Sequence, residues 1–204
     1  MEKILVTLLV LCAIALLLYI AWVLYSRILA NKLMREGRNK KNFLFTYMSL
    51  RFSRLNIVND AKLLIRDRSV PGGKLLADLG LVFVNRGGIF IIENVRGSGI
   101  IDVGDGGTWC RSTHDKQFFF EDPFIANGQK VKLMKSFLRS EKFDNIPVHG
   151  LVVCTGKKVK LTKKVSSLLT APELADFIAD ANKDLILRRN EIRDVVKLIK
   201  SKQP

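Results

Sequence analysis

Outside its apolar N-terminus the chain carries two thiols and two imidazoles from which a disulfide framework or a zinc site could be built: Cys110, Cys154, His114 and His149. The two thiols stand apart and make no disulfide framework, and neither histidine lies at a zinc-ligand spacing from them. Core or surface cysteines are the expectation. Glycine is concentrated from Gly97 to Gly107, punctuated by Asp102 and Asp105, but no strand, glycine loop and helix follow one another there as a phosphate cradle requires. That segment reads as turns. Arg86 and Arg96 flank a predicted hairpin and are the cations placed to meet a nucleic-acid phosphate. Glu93 reads as a solvated carboxylate at the end of a strand and Asp78 as a loop-proximal polar residue. Trp109 reads as a core or edge plug, because a large aromatic ring more often buries area than stacks on a base.

The elements that position these residues follow from local patterning. Lys74 to Val84 and Ile89 to Val95 are strand-like runs joined by Asn85-Arg86-Gly87-Gly88, which is turn chemistry, so a hairpin is expected. Before it, Leu29 to about Leu55 is basic and helix-permissive, predicting one or two helices broken near Gly37. A short strand around Ile57 to Leu64 and a loop from Asp67 to Gly73 come next. Beyond the hairpin, Thr108-Trp109-Cys110 is expected to pair briefly on the sheet edge. Asp122-Pro123 supplies a cap and a first-turn proline for a helix to about Ser140, with Val131, Met134, Phe137 and Leu138 as its buried stripe. Val148 to Thr155 predicts a buried strand, and Thr170-Ala171-Pro172-Glu173 a capped helix start. A last basic amphipathic helix is expected over Asp184 to Lys200. There Leu185, Ile192, Val195, Val196 and Ile199 face the domain, while Arg188, Arg189, Arg193, Lys197 and Lys200 stay wet.

Ile4 to Tyr25 is uncharged, with Thr7 as its polar interruption, and about 22 residues of helix cross a hydrocarbon core of roughly 30 Å. Tyr19, Trp22 and Tyr25 gather at its C-terminal end, where amphipathic rings favour the headgroup boundary. A cleaved signal peptide would have a shorter apolar core and small residues at a cleavage site, and Tyr25-Ser26-Arg27 offers neither. The expectation is a single-pass anchor in the cell membrane, contacting lipid through residues 4–25. Arg27, Lys32, Arg35, Arg38, Lys40 and Lys41 follow the span and only Lys3 precedes it, which orients the remaining domain to the cytoplasm. The chain divides into an anchor over 1–28, one α/β domain over 29–182 and a basic helix over 183–204. Its formal charge of +15 lies almost wholly outside the anchor, because Glu2 and Lys3 cancel. Such a surface attracts nucleic acid or anionic lipid, or simply keeps the protein dispersed.

From Gly88-Ile89-Phe90-Ile91-Ile92-Glu93 onward the order of features resembles the nuclease-related domain, NERD, a branch of the restriction-endonuclease-like superfamily. Gly99 and Ile100, Trp109, Asp122-Pro123-Phe124 with Asn127, and the strand around Leu151 to Cys154 follow in the family's order, and the resemblance covers roughly residues 35 to 180. It implies an α/β fold in which a mixed sheet is flanked by helices. It also implies a site in which an aspartate and a second acid hold Mg²⁺ or Mn²⁺ and a lysine two positions beyond serves the attacking water. Glu93 matches the second acid. The aspartate position falls on Gly80, leaving Asp78 as the substitute ligand if strand alternation carries it to the same face. The lysine position is Val95, and Arg96 would face away on a regular strand; its pKa above about 12 also makes it a poor base. The family's helix-start glutamine is Ala126 here.

Three functional readings follow. The first is a catalytically impaired NERD-like domain, needing no cofactor, that binds DNA, RNA or a membrane protein partner at the membrane. The second is an active Mg²⁺- or Mn²⁺-dependent nuclease using Glu93 and Asp78. The third is an assembly factor whose basic face contacts anionic lipid.

Overall fold

The apolar N-terminal run is helical throughout. The computed structural model describes residues 2–36, 43–51, 55–66, 74–104, 107–156 and 158–203. Helix α1 covers Glu2–Glu36, and its stretch Leu11–Leu29 is long and apolar enough to cross a membrane, with 6% of it buried against the rest of the chain. The helix passes residues 28 and 29 without interruption. Helix α2, Phe43–Arg51, packs against α1. The expected break at Gly37 and the loop Asp67–Gly73 lie outside the described residues.

The central sheet has five strands in the order β1-β2-β3-β7-β9. Strands β1 (Asn56–Arg66), β2 (Lys74–Asn85) and β3 (Gly88–Val95) form an antiparallel meander; β7 (Val148–Cys154) and β9 (Leu168–Thr170) continue it in parallel. Strand β3 reads Gly-Ile-Phe-Ile-Ile and is buried on both faces, as a central strand covered on both sides must be. On one face Ile89 and Ile91 meet Met134, Phe137 and Leu138 of α3 (Pro123–Ser140) and Ile192, Val195 and Ile199 of α5 (Arg189–Ser201). On the other, Phe90 and Ile92 meet α2 and α4 (Ala171–Ala181). This is the mixed sheet flanked by helices that the resemblance implies.

A second sheet, ordered β6-β5-β4-β8, packs beside the first through Ile101 and Trp109, which join Val152, Cys154 and Leu168 in one cluster. Its strands are β4 (Gly99–Asp102), β5 (Thr108–Ser112), β6 (Gln117–Glu121) and β8 (Val159–Leu161). Two expectations are corrected here. Gly99 to Asp102 is a strand rather than a turn, with Gly99 at φ +116° where it passes close to the Ser112 carbonyl. Thr108 to Cys110 lies inside this second sheet, not on an edge of the first. Strands this short carry too few alternating positions for a sequence pattern to show.

The terminal helix begins at Arg189, not Asp184. The Glu191 carboxylate accepts the Arg188 backbone N–H at 2.6 Å, fixing the start one residue later. Leu185, expected in the core, has φ +55° and is 58% exposed; Leu187 is buried in its place. Because α5 shares the core of α3, β1 and β2, it belongs to the same folded unit. The helix starts at Asp122-Pro123 and Thr170 stand where local signals put them. Asp122 Oδ1 accepts the Phe124 N–H at 2.8 Å, and Glu173 accepts both the N–H and hydroxyl of Thr170, which holds its carboxyl below the usual range.

Glycine is required at the turn of the hairpin. Gly88 has φ +131°, and a Cβ there would lie 2.5 Å from the Pro147 carbonyl oxygen that accepts the Ile89 N–H. Gly128, on the exposed side of α3, would place a Cβ in open space, with nothing within 4 Å. Gly88→Ala should cost roughly 2–4 kcal/mol through backbone strain and overlap, and Gly128→Ala should gain about 0.5–1 kcal/mol of helix propensity. Unfolding of the two variants in neutral detergent should move in opposite directions; a neutral Gly88→Ala would show that the turn relaxes.

Candidate functional site

The site is created by two irregularities in the outer strands. Pairing of β1 with β2 shifts register between Val58 and Ala61, with Asp60 at φ +51°, and shifts again next to Ala61, opposite Gly80 at φ +69°. Ala77 and Leu79 feed the core on the α3 side before the shift, and Val82 and Val84 feed it afterwards. Alternation therefore slips by one residue at Gly80. A Cβ on Gly80 would point at Lys130 Nζ, 4.0 Å away, whereas Asp78 is exposed and spends Oδ1 on the Gly80 N–H at 3.0 Å. Asp78 and Gly80 do not share a face, contrary to the alternation argument, and Asp78 does not line the cavity that opens here.

That cavity, about 170 Å³, is lined by Asp60, Gly80, Glu93, Asn94, Arg96 and Lys130 together with apolar side chains that include Leu44 and Phe45 of α2. Glu93 comes from the outer half of β3. Its Oε2 accepts a hydrogen bond from Lys130 Nζ at 2.6 Å, and both side chains are about three-quarters buried. Arg96 faces the same cavity rather than turning away, because β3 ends at Val95 and the chain bends at Gly97, φ +122°. Val95 itself, at the expected lysine position, packs toward the cluster of Ile101 and Trp109.

Lys130 reaches Glu93 because α3 is pinned to the sheet one turn earlier. Asn127 is 1% exposed, and its Nδ2 donates to the carbonyls of Leu151 at 2.9 Å and Ile91 at 3.3 Å, bridging β7 and β3. Gly150 permits this approach; a Cβ there would sit 3.0 Å from Val131 and 3.2 Å from the Asn127 amide. Three positions after Asn127, on the same helical face, stands Lys130. Sequence reading missed this lysine. It lies 37 positions from Glu93, and its signal was the Asn127 match, which fixes the helix face that a cation three residues on must occupy.

The other candidates fall elsewhere. Arg86 lies at the turn end of the hairpin and lines a different cavity. Trp109 is fully buried, with edge-on contacts to Phe120 and Phe124, so it is a core plug. Cys154 is buried, which pushes its thiol up to about 12 and leaves it inert as a nucleophile near neutrality. Asp122 is the cap of α3.

The donors around Glu93 do not fit a divalent ion. A hard cation takes carboxylate, carbonyl and water oxygens; here Gly80 offers no side chain, Asp60 Oδ2 accepts from the Asn59 amide and Glu93 Oε2 from Lys130. Among the described residues no three acidic, histidine or cysteine side chains cluster in a way that could hold a metal ion. The charges lining the cavity also cancel: Asp60 and Glu93 stand against Arg96 and Lys130. What the arrangement can do is present two cations and two amides beside two carboxylates that already have partners.

A family model described as the nuclease-related domain matches residues 45–155, more than half of the chain. No curated protein and no solved structure matches it.

The Glu93 and Lys130 charges should be energetically coupled. A double-mutant cycle of Glu93→Gln and Lys130→Met, read by denaturant unfolding, should give about 1–2 kcal/mol of coupling, as expected for a short, largely desolvated charged hydrogen bond. Additive single effects would show that the pair contributes nothing beyond its separate members.

Proposed function

The chain belongs to the nuclease-related domain (NERD) family, and we propose that it uses the nuclease scaffold to bind nucleic acid at the cytoplasmic face of a membrane, without cleaving it. The observation that carries this reading is the Lys130–Glu93 pair. The one acid that matches the family's site has a protein cation as its partner, and the position that would supply the second oxygen ligand is Gly80. Glu93 paired to Lys130, with no acid at Gly80, supports binding rather than cleavage by two carboxylates, a metal and a lysine. Binding needs less. A formal charge of +15 favours phosphate by counterion release.

Anchoring rests on α1, whose apolar stretch has almost no cover within the chain, and orientation on the excess of lysine and arginine after it. Confinement beside the membrane raises the effective concentration of the domain for anything else held there, which serves a binding protein as well as an enzyme.

The full chain in neutral detergent, supplied with Mg²⁺ or Mn²⁺ and labelled DNA and RNA, should bind strands and leave them intact. Affinity should fall steeply with salt, the logarithm of the binding constant declining linearly with that of the salt concentration. Cutting that disappears in Glu93→Gln would overturn the non-catalytic reading. An affinity indifferent to salt would overturn nucleic acid as the ligand and direct attention to a protein partner.

A further inference from the structure

The turn of the β2–β3 hairpin is held with more care than a surface turn needs. Asn85 is 5% exposed; its Nδ2 donates to the Ile178 carbonyl at 3.1 Å, and its Oδ1 accepts the Gly87 N–H at 2.7 Å. Gly87 leaves no room for a side chain, since a Cβ would lie 2.3 Å from the Ala181 carbonyl oxygen. Between them, the Arg86 N–H donates to Asn182 Oδ1 at 3.4 Å, and the Arg86 carbonyl accepts the Leu187 N–H at 2.8 Å. The backbone of Arg86 is thus clamped to the connection between α4 and α5, and its half-buried side chain lines a cavity of about 540 Å³.

Across that cavity stands Arg189, the first residue of α5, where the bond from Arg188 N–H to Glu191 fixes the helix start. The remaining lining residues are Asn56, Asn85, Asn182 and Ile192, so the cavity holds two guanidinium groups and no carboxylate. Neither guanidinium has a hydrogen-bond or ion-pair partner among the described residues. Their placement is also electrostatically unfavourable as it stands. The first turn of a helix carries partial positive charge, so a cation there is disfavoured instead of stabilising. An anion between the two arginines reverses that sign.

We propose that this cavity is a binding site for a phosphate-bearing ligand, gripped by Arg86 and Arg189. Planar guanidinium forks match the oxygens of a phosphate in paired hydrogen bonds, which a lysine cannot do. Asn182 adds a donor, because its oxygen is spent on the Arg86 N–H while its amide nitrogen meets no acceptor among the described residues. The volume exceeds what a bare phosphate fills, leaving space for the group that carries it. The site is separate from the Glu93 cavity: Asn85 stands five residue steps along β2 from Gly80, about 17 Å.

The test is calorimetric titration of the full chain in neutral detergent with inorganic pyrophosphate, followed by competition with a short single-stranded oligonucleotide. One saturable site is expected. Arg86→Ala and Arg189→Ala should each weaken it at least about tenfold, as loss of one bidentate contact implies. The double variant should fall short of the product of the single effects, because both groups hold one anion. Arg193→Ala, on the exposed side of α5 outside the cavity, should bind as the parent does. Unchanged unfolding midpoints would show that the variants fold; Arg86→Ala keeps both backbone bonds. Displacement of pyrophosphate by the oligonucleotide identifies a strand as the source of the phosphate, and failure to displace it identifies a small phosphorylated molecule. The proposal is overturned if no saturable binding appears, if the double variant binds like the parent, or if Arg193→Ala weakens binding as much. Glu93→Gln should leave this titration unchanged, so its outcome is independent of the reading of the Glu93 cavity.

Discussion

A carboxylate with about a quarter of its side chain exposed, standing at the rim of a sheet buried on both faces, must have its charge matched. In a metal-dependent nuclease the match is a divalent ion shared with a second acid. Here it is the ammonium of Lys130, at 2.6 Å from Glu93. Around it the cavity sets Lys130 and Arg96 against Asp60 and Glu93, and Gly80 adds no side chain. With no carboxylate at Gly80, the cation that meets Glu93 comes from the protein itself, and α3 is the element that provides it.

The placement of α3 depends in turn on Asn127. Its amide spans two carbonyls on neighbouring parallel strands, a bond that holds only if the helix lies at one height and one rotation above the sheet. Gly150 beneath it and the Asp122-Pro123 start before it agree on that height. The irregular pairing of β1 with β2 completes the cavity from the other side by turning Asp60 and the backbone of Gly80 toward it. Each feature is local, but the cavity exists only where all of them coincide.

Much of this was legible in the sequence wherever a local signal decides the outcome. The Asn85-Arg86-Gly87-Gly88 turn, the Asp122-Pro123 helix start, the buried strand at Val148 and the Thr170–Glu173 cap are specified by residues adjacent to where they act. The site was legible only in part. Glu93 could be placed on its strand by pattern, but Lys130 meets it through tertiary packing across 37 positions. Strand alternation put Asp78 on the wrong face because the register shift that defeats it arises from pairing with β1, and no residue in β2 announces it apart from Gly80. The second sheet escaped notice because its strands are three to five residues long and draw their stability from Trp109 and Ile101 packed on β7. Helix α5 starts at an arginine, a residue with no capping preference of its own, held there by Glu191.

The apolar helix and the cavity are physically continuous. Ser26, near the end of the apolar stretch, is buried, while residues 11–25 before it are almost entirely exposed. The end of α1 packs on α2, and α2 gives Phe43, Leu44, Tyr47 and Met48 to the core beneath β3. Leu44 and Phe45 then line the same cavity as Glu93 and Lys130. One short helix is thus in contact with the apolar helix on one side and the candidate site on the other. A tether joined by a long flexible linker would leave the domain free to sample many orientations. Docking of α2 against α1 reduces that freedom, so a ligand reaching the cavity meets a surface whose attitude to α1 is already set, and less ordering entropy remains to oppose binding.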